Sequence, residues 1–353
     1  MRNTRVDYID IAKGITIFLV IMGHAAGNLD TPYYRVVLYT FHMPLFFMLS
    51  GITMRPRQNY NGAVWKDIIR KNILCLAVPY FIWGLFYCQF SYANASWLVY
   101  GSWRALGNAG TLTSLWYIPC LFLVRLEIHL LFQLFNRCKA DPRVLSAGAA
   151  VASFAIAFLL PHNDAVGYPW CFDVSFMALG FVLLGYALKG ILDRLNQLSL
   201  GKITVLFFLS LALSIAGFWY QGESLALMLM CNSVYNSIPA FFWNALVCSA
   251  VVLFLAMISS NYNVVGLKPR FRYIGQNTFA IFLLHKPILQ EVVMPIFGLA
   301  GFDAYNFWIV FIASFLTLRI CRWAMQVIER YIPQLLGKFP APTQKVVQNA
   351  EEL

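Results

Sequence analysis

Near the start of the chain stands the stretch DYIDIAKGITIFLVIMGH (7–24), which is apolar except for a few polar positions. With the residues that follow, it is long enough to cross a bilayer, because a membrane-spanning helix needs about 20 mostly apolar residues. It nevertheless contains Asp10, Lys13 and His24, and an ionisable side chain at membrane depth costs about 2.5–3.5 kcal/mol. The stretch therefore predicts a membrane helix that carries functional side chains.

The composition extends this interpretation to the whole chain. Of the 353 residues, 60% are hydrophobic and 12% are charged, whereas soluble domains contain about 25% charged residues. The mean hydropathy is +0.66. These values exclude a disordered chain, a cytosolic enzyme and a secreted domain built on disulfides. They predict an all-α, polytopic membrane protein with the lipid bilayer as its solvent.

Ten segments are apolar enough to span a membrane. We predict helices at roughly 9–27, 35–54, 72–91, 114–135, 144–160, 171–190, 202–220, 238–258, 274–296 and 304–325. The segment 225–237 is ambiguous, since it could be re-entrant, interfacial or an extension of the eighth helix. Without a repeat or a polar domain, we expect a single transmembrane domain over 1–337 and a short cytoplasmic tail over 338–353.

The basic residues predict the orientation of the chain. The net charge is +11, and Lys and Arg concentrate in the gaps after helices two, four, six and eight and near the C-terminus. Of the Lys and Arg residues, the other gaps contain only Arg35 and Arg104. Because cytoplasmic loops carry the excess of Lys and Arg, this alternation predicts that both termini are cytoplasmic. It also explains the basic charge without a nucleic-acid partner.

The first helix has a geometry that suits a two-ended substrate. Lys13 and His24 are eleven residues apart, so they share a helix face and are separated by about 16 Å along the axis. A cation at one end and an imidazole at the other could hold the anionic head and the reactive end of a long, phosphorylated donor. Alternatively, Lys13 reaches the membrane surface and is unrelated to His24, or it pairs with Asp10, one turn away.

Further ionisable residues lie inside other predicted helices, where they are candidates either for a site or for structural pairing between helices. They are His42 in helix two, Arg125, Glu127 and His129 in helix four, Asp173 in helix six, and His285, Lys286 and Glu291 in helix nine.

Four motifs resemble the acyltransferase-3 family of membrane acyltransferases, and its fucose 4-O-acetylase-like branch in particular. They are the stretch 7–24, FHMPLFFMLSG (41–51), LWYIPCLF (115–122) and YIGQNTFAIFLLHKPI (273–288). They occur in the family's order over nearly the whole chain. The wider family has an arginine where this chain has Lys13, and the acetylase-like branch tolerates lysine there. Lysine is a compact point charge, so a bidentate phosphate contact is not expected at Lys13.

The resemblance implies an integral membrane O-acyltransferase of the bacterial plasma membrane. Such an enzyme moves an acyl group, often acetyl, from cytoplasmic acyl-coenzyme A to a hydroxyl of a cell-surface glycan or its lipid-linked precursor. The family's motif histidine corresponds to His24, which would act as general base because imidazole titrates near neutral pH. His42 could orient His24 or position the acceptor.

The remaining candidates are assigned to the two substrates. We assign Lys13, Asp10, Arg125 and Glu127 to binding of the acyl-coenzyme A co-substrate, which is the only cofactor expected. His285 could contact the acceptor or be structural, and Trp116 and Tyr117 could stack on a sugar or belong to an interfacial aromatic belt. Ser50, in a Ser-Gly step, fits close helix packing better than a nucleophile. The motifs predict no metal ion.

Two other classes of protein remain open from the residues alone. A transporter or flippase of a glycan or lipid would also use ten spans with buried charges, although paired broken helices in matching halves are not apparent. A non-catalytic membrane sensor or structural component is the other. The acceptor, the acyl chain length, the existence of an acyl-enzyme and the oligomeric state do not follow from the sequence.

Overall fold

The computed structural model describes residues 6–25, 32–107, 110–161, 163, 165–222, 228–233, 235, 237–262, 267–302 and 306–339. These residues form helices joined by short loops, with no β-strand among them. The all-α fold class is therefore confirmed.

Ten helices in the described residues are long and apolar enough to cross a membrane, as predicted. We number them α1 to α10: Asp7–Ala25, Tyr33–Ile52, Gly62–Tyr87, Leu112–Phe135, Pro142–Leu159, Pro169–Leu195, Leu200–Gln221, Ile238–Asn261, Thr278–Leu299 and Phe307–Tyr331. A helix satisfies its backbone hydrogen bonds internally, which is why apolar segments of this length adopt it in lipid.

The third helix begins ten residues before its predicted start. Its first part, Gly62–Asn72, is amphipathic and basic, with Ile68 and Asn72 buried. The side chain of Asn61 caps this part by accepting a hydrogen bond from the amide of Val64 at 2.9 Å. The hydropathy pattern marks only the apolar portion of such a helix, so its polar first turns were not predicted.

The segment 225–237 is not an extension of the eighth helix. Among its described residues, Met230–Asn232 form a short 3₁₀ turn, and α8 begins at Ile238 with Ser237 as its N-cap. Met228 and Met230 are buried. Residues 225–227, 234 and 236 lie outside the described residues.

The helices α1 and α2 form the centre of the molecule. α1 packs against α2, α8, α9, α10 and the short helix Leu267–Gln276, while α2 packs against α6 and α8. By contrast, α5 and α7 bury only a small part of their surface. The candidate site residues of the first two helices therefore lie in the protein interior, away from the lipid.

The crossing of α2 and α6 depends on two glycines. A Cβ atom at Gly51 would overlap the carbonyl of Val182, and a Cβ atom at Gly185 would overlap the carbonyl of Met48. Small residues allow such close approach of helix backbones in membranes. The Ser50-Gly51 step thus serves close helix packing, as its sequence indicates.

The short helix Leu267–Gln276 is held along α1 by polar contacts. Asp7 forms ion pairs with Lys268 at 3.1 Å and with Arg272 at 3.2 Å. Asp10 is buried and accepts a hydrogen bond from Nε2 of Gln276 at 3.0 Å. The basic gap before α9 is therefore partly neutralised by the start of α1.

Candidate active site

A cavity of about 600 Å³ lies between α1, α2, α3, α4 and α9, and we name it the Lys13 cavity. Three cations line it, namely Lys13, Arg55 and Arg125, and the lining includes no acidic side chain among the described residues. Apolar side chains such as Leu121 and Phe279 form much of the remaining wall. The cavity therefore combines positive charge with an apolar wall.

A second cavity of about 540 Å³ lies farther along α1, and we name it the His24 cavity. Its lining combines two imidazoles, two cations and several aromatic rings: His24, His42, Arg35, Lys286, Tyr39, Trp103 and Trp116. Concave sites with aromatic walls and a few polar groups are typical of small-molecule binding.

The two cavities adjoin at three buried apolar residues. Val20, Met43 and Phe282 line both of them. Lys13 and His24 thus face different cavities from the same helix, and their separation along α1 spans the junction. A molecule that binds through its anionic end near Lys13 would reach the His24 cavity past these three residues.

His24 contacts polar groups from two neighbouring helices. Its Nδ1 lies 3.4 Å from the hydroxyl of Tyr39 on α2, and its ring centroid lies 5.4 Å from that of His285 on α9. The ring of Tyr39 is in turn 5.0 Å from that of His42. The structure therefore brings the three predicted histidines together: His24 and His42 both lie beside Tyr39, which was not predicted, and His285 lies beside His24.

His42 and His285 are both oriented by backbone carbonyls of their own helices. Nδ1 of His42 donates to the carbonyl of Leu38 at 2.5 Å, and Nδ1 of His285 donates to the carbonyl of Phe282 at 2.7 Å. A neutral imidazole that donates from Nδ1 keeps an acceptor at Nε2. His42 lines the His24 cavity, whereas His285 is fully buried and lines neither cavity.

Arg125 and Glu127 of α4 do not pair with each other. Arg125 lines the Lys13 cavity, whereas Glu127 points to α6 and accepts a hydrogen bond from Ser175 at 2.8 Å. Two residues that are two positions apart on a helix face nearly opposite directions. Only Arg125 of this predicted pair therefore reaches the cavity, and Asp10 likewise lies outside its lining.

The two aromatic candidates of α4 line different cavities. Trp116 lines the His24 cavity and Tyr117 lines the Lys13 cavity. Tyr117 packs its ring against Phe47 and Phe282 at centroid distances of 5.1 and 5.2 Å. Trp116 alone of the two remains beside His24.

Several cavity residues were not assigned from the sequence, and some had a usable signal. Arg35 and Tyr39 precede the predicted His42 by seven and three positions, which places all three on one face of α2. Arg55 belongs to the basic gap after α2. Lys286 adjoins His285, is buried, and donates a hydrogen bond to Thr113. Leu229, Met230 and Cys231 line the His24 cavity from the segment between α7 and α8. The sequence of that segment gives no signal that would assign them to a site.

Irregular helical turns also contribute to the cavity walls. α3 contains a π-helical turn at Ile73–Ala77 and α9 contains one at Ile288–Val293. Cys75 and Leu76 from the first turn line the Lys13 cavity, and Gln290 from the second lines the His24 cavity. Such turns are frequent at functional sites.

The chain after α10 closes part of the Lys13 cavity. Leu336 and Gly337 line it, and the carbonyl of Leu335 accepts a hydrogen bond from Nε1 of Trp83 at 2.8 Å. Lys338 donates to Asn277 and to Glu329. Lys338 is thus packed against the helices, and residues 340–353 of the predicted tail lie outside the described residues.

The cysteines and acidic residues offer little alternative chemistry. All eight cysteines are free, and most of them are buried. Burial raises the pKa of the Cys231 thiol, which disfavours a thiolate nucleophile at the His24 cavity. Among the described residues, no three His, Cys, Asp or Glu side chains are grouped so that they could hold a metal ion.

Comparison with known proteins agrees with the resemblance of the four motifs. The chain is 28% identical to nodulation protein NolL of Sinorhizobium fredii over 201 residues, which cover 51% of this chain and 49% of that protein. It is also 28% identical to nodulation protein NolL of Mesorhizobium japonicum over 167 residues, which cover 43% of this chain and 42% of that protein. The matched regions thus span about half the length of these curated relatives or less.

The family model extends much farther along the chain than these relatives do. The model described as an acyltransferase domain matches residues 6–325, which include α1 to α9, most of α10 and all the predicted site residues. The chain, a multi-pass membrane protein, therefore belongs to the acyltransferase-3 family.

Proposed function

We propose that this protein is a membrane O-acyltransferase that transfers an acyl group, most simply acetyl, from acyl-coenzyme A to a hydroxyl of a cell-surface glycan or its precursor. The observation that carries the proposal is the pair of adjoining cavities, one lined by cations and the other by histidines and aromatic rings. Membership of the acyltransferase family supports the reaction class. The membrane in question is the bacterial plasma membrane.

The Lys13 cavity suits the donor. Coenzyme A carries phosphate groups, and Lys13, Arg55 and Arg125 supply positive charge from three separate segments. Arginine can bind phosphate through two parallel hydrogen bonds, whereas lysine acts as a point charge. The pantetheine arm would then extend past Val20, Met43 and Phe282 towards His24. Since coenzyme A is cytoplasmic, this end of the molecule faces the cytoplasm.

The His24 cavity suits the reacting groups. His24 takes the proton of the acceptor hydroxyl as its oxygen bonds to the acyl carbon, and the carbon–sulfur bond breaks. The proton then passes to the leaving thiolate. Lys286, buried in the wall of the same cavity, supplies positive charge for the oxyanion that develops on the carbonyl. Trp103, Trp116 and Tyr39 offer ring faces for a sugar.

Incubation of the purified protein in detergent with radiolabelled acetyl-coenzyme A tests the reaction class. We expect time-dependent release of free coenzyme A, with transfer of label to a hydroxylated acceptor or to water. A matched preparation of His24→Ala is the control for contaminating esterases. Label that stays on intact acetyl-coenzyme A would contradict the proposal and favour a transporter.

The acceptor class needs a cellular measurement. Mass spectrometry of surface glycans should show an acyl group that is lost in a deletion strain. The wild-type gene should restore it and the His24→Ala gene should not. Unchanged glycans in the deletion strain would contradict a glycan acceptor while leaving the detergent assay as an independent test of the acyltransferase.

A further inference from the structure

His285 is a buried histidine of α9 whose ring lies beside that of His24. Its side chain is fully buried, and it lines neither cavity. Its ring centroid nevertheless lies 5.4 Å from that of His24, which does line the His24 cavity. His285 therefore has no direct route to a substrate in that cavity, and the cavity residue whose imidazole lies beside it is His24.

The hydrogen bonding of His285 leaves one nitrogen unused. Nδ1 donates to the carbonyl of Phe282 at 2.7 Å, so Nε2 carries the lone pair of the neutral ring. Nε2 is buried without a hydrogen-bond partner among the described residues. A buried acceptor without a donor is unfavourable, and each such group in a native structure calls for an explanation.

His24 has a second ring nitrogen that requires a hydrogen-bond acceptor. Its Nδ1 lies 3.4 Å from the hydroxyl of Tyr39, which lines the His24 cavity, so Nε2 is the nitrogen left to face other groups. A general base needs a partner that holds it in one tautomer, the role that a carboxylate takes in a catalytic triad. Among the described residues, no carboxylate lines the His24 cavity.

We propose that His285 is the positioning residue of His24, and this inference rests on the proposed acyltransferase function. Nε2 of His285 accepts a hydrogen bond from the Nε2–H of His24. The lone pair on Nδ1 of His24 then faces the cavity, where the acceptor hydroxyl replaces the long contact with the hydroxyl of Tyr39. In the structure the two ring planes are tilted by 43°, and the bond forms when the two Nε2 atoms turn towards each other. Catalytic hydrogen bonds are often long before substrate binds and tighten in the complex.

The reaction then balances around the two rings. Nδ1 of His24 receives the proton of the acceptor hydroxyl while the new carbon–oxygen bond forms and the carbon–sulfur bond breaks. Nε2–H of the resulting imidazolium stays hydrogen-bonded to His285, and the proton on Nδ1 passes to the thiolate. The other charged and histidine groups that line this cavity are His42 and Arg35 from α2 and Lys286 from α9, and no carboxylate lines it among the described residues.

Two substitutions of His285 test the inference. In His285→Leu the hydrogen-bond acceptor for Nε2–H of His24 is lost. We therefore expect kcat for acetyl transfer to fall by about 10²-fold or more, the loss typical of an impaired general base. KM for acetyl-coenzyme A and for the acceptor should stay within about threefold, because His285 touches neither substrate. In His285→Gln the amide oxygen replaces the Nε2 lone pair, so kcat should recover to within about tenfold of wild type.

His129→Leu is the matched control, because His129 is also a hydrogen-bonded histidine of a spanning helix but lines neither cavity. It should leave kcat within about twofold of wild type. Equal loss of kcat in His285→Leu and His285→Gln would overturn the inference, as would an unchanged kcat or a raised acceptor KM in His285→Leu. A wild-type protein without transfer activity would overturn the proposed function and this inference together.

Discussion

His24 and Lys13 lie three helical turns apart on α1, and each faces a different cavity. Both were predicted from their spacing, because a helix has a fixed rise and rotation per residue. Tyr39 and Arg55 were not assigned, since an aromatic residue or a loop arginine is common in any membrane protein. Their importance follows from contacts with residues far away in the sequence.

Replacement of His24 by alanine tests the general base. We expect His24→Ala to lower acyl transfer by about 10²–10⁴-fold and to leave the protein folded, because His24 lines a cavity. The initial rate of coenzyme A release measures the loss, and gel filtration in detergent reports folding. Near-normal turnover would contradict the assignment, and His42 would be the next candidate.

Lys13 provides a separate prediction for the donor end. Lys13→Ala should mainly raise KM for acyl-coenzyme A, and Lys13→Arg should keep most activity because the charge remains. Lys71→Ala is a control for general loss of positive charge, since Lys71 pairs with Asp67 and lies outside the cavity lining. Steady-state kinetics across a range of acyl-coenzyme A concentrations gives each KM.

The structural alternative for Lys13 is a partnership with Asp10. A buried ion pair can often be replaced by neutral groups at little cost in stability. If the pair were the whole role of Lys13, Asp10→Asn combined with Lys13→Met would restore both folding and turnover. An unchanged KM in Lys13→Ala would also remove Lys13 from the donor site.

At the scale of elements, the close crossing of α2 and α6 sets the position of His42 and Ser50 relative to the rest of the bundle. We expect Gly185→Val to destabilise the protein by about 1–3 kcal/mol or more, because the added side chain would overlap the carbonyl of Met48. Gly148→Val on α5 is the matched control, since a Cβ there meets nothing within 4 Å.

Thermal unfolding in detergent, followed by tryptophan fluorescence, compares the two glycine variants. Both variants exchange a helical glycine for valine, so the change in helix propensity is the same in each, and the difference between their unfolding midpoints isolates the helix contact. Equal unfolding midpoints in the two variants would show that α2 and α6 can move apart to accommodate the valine. In the sequence, Gly51 stands in a recognisable Ser-Gly step, but Gly185 acquires its role only through its partner helix.

At the scale of the whole molecule, the alternating basic loops predict that both termini are cytoplasmic. Gln58 follows α2 and Ala165 follows α5, and both are exposed, so a cysteine at either position should react with a maleimide. In intact cells an impermeant maleimide should label Ala165→Cys and not Gln58→Cys. The native Cys138, exposed between α4 and α5, should also stay unlabelled until the cells are opened.

The labelling experiment needs a background in which the native cysteines do not react with the maleimide. Cys138→Ser serves as the background for the two new cysteines, since most of the other native cysteines are buried. Labelling of positions 58 and 165 from the same side would contradict the topology. It would also move the Lys13 cavity away from cytoplasmic acyl-coenzyme A and so count against the proposed donor site.

The sequence by itself determined the number and order of the spanning helices, the family motifs, and the shared face of Lys13 and His24. These features are local, because the bilayer sets helix length and the helix sets side-chain spacing. Only the tertiary structure decided that the two cavities adjoin at Val20, Met43 and Phe282. It likewise decided which partners meet His24 and which side of α4 reaches the cavity, since such contacts depend on how helices distant in sequence pack.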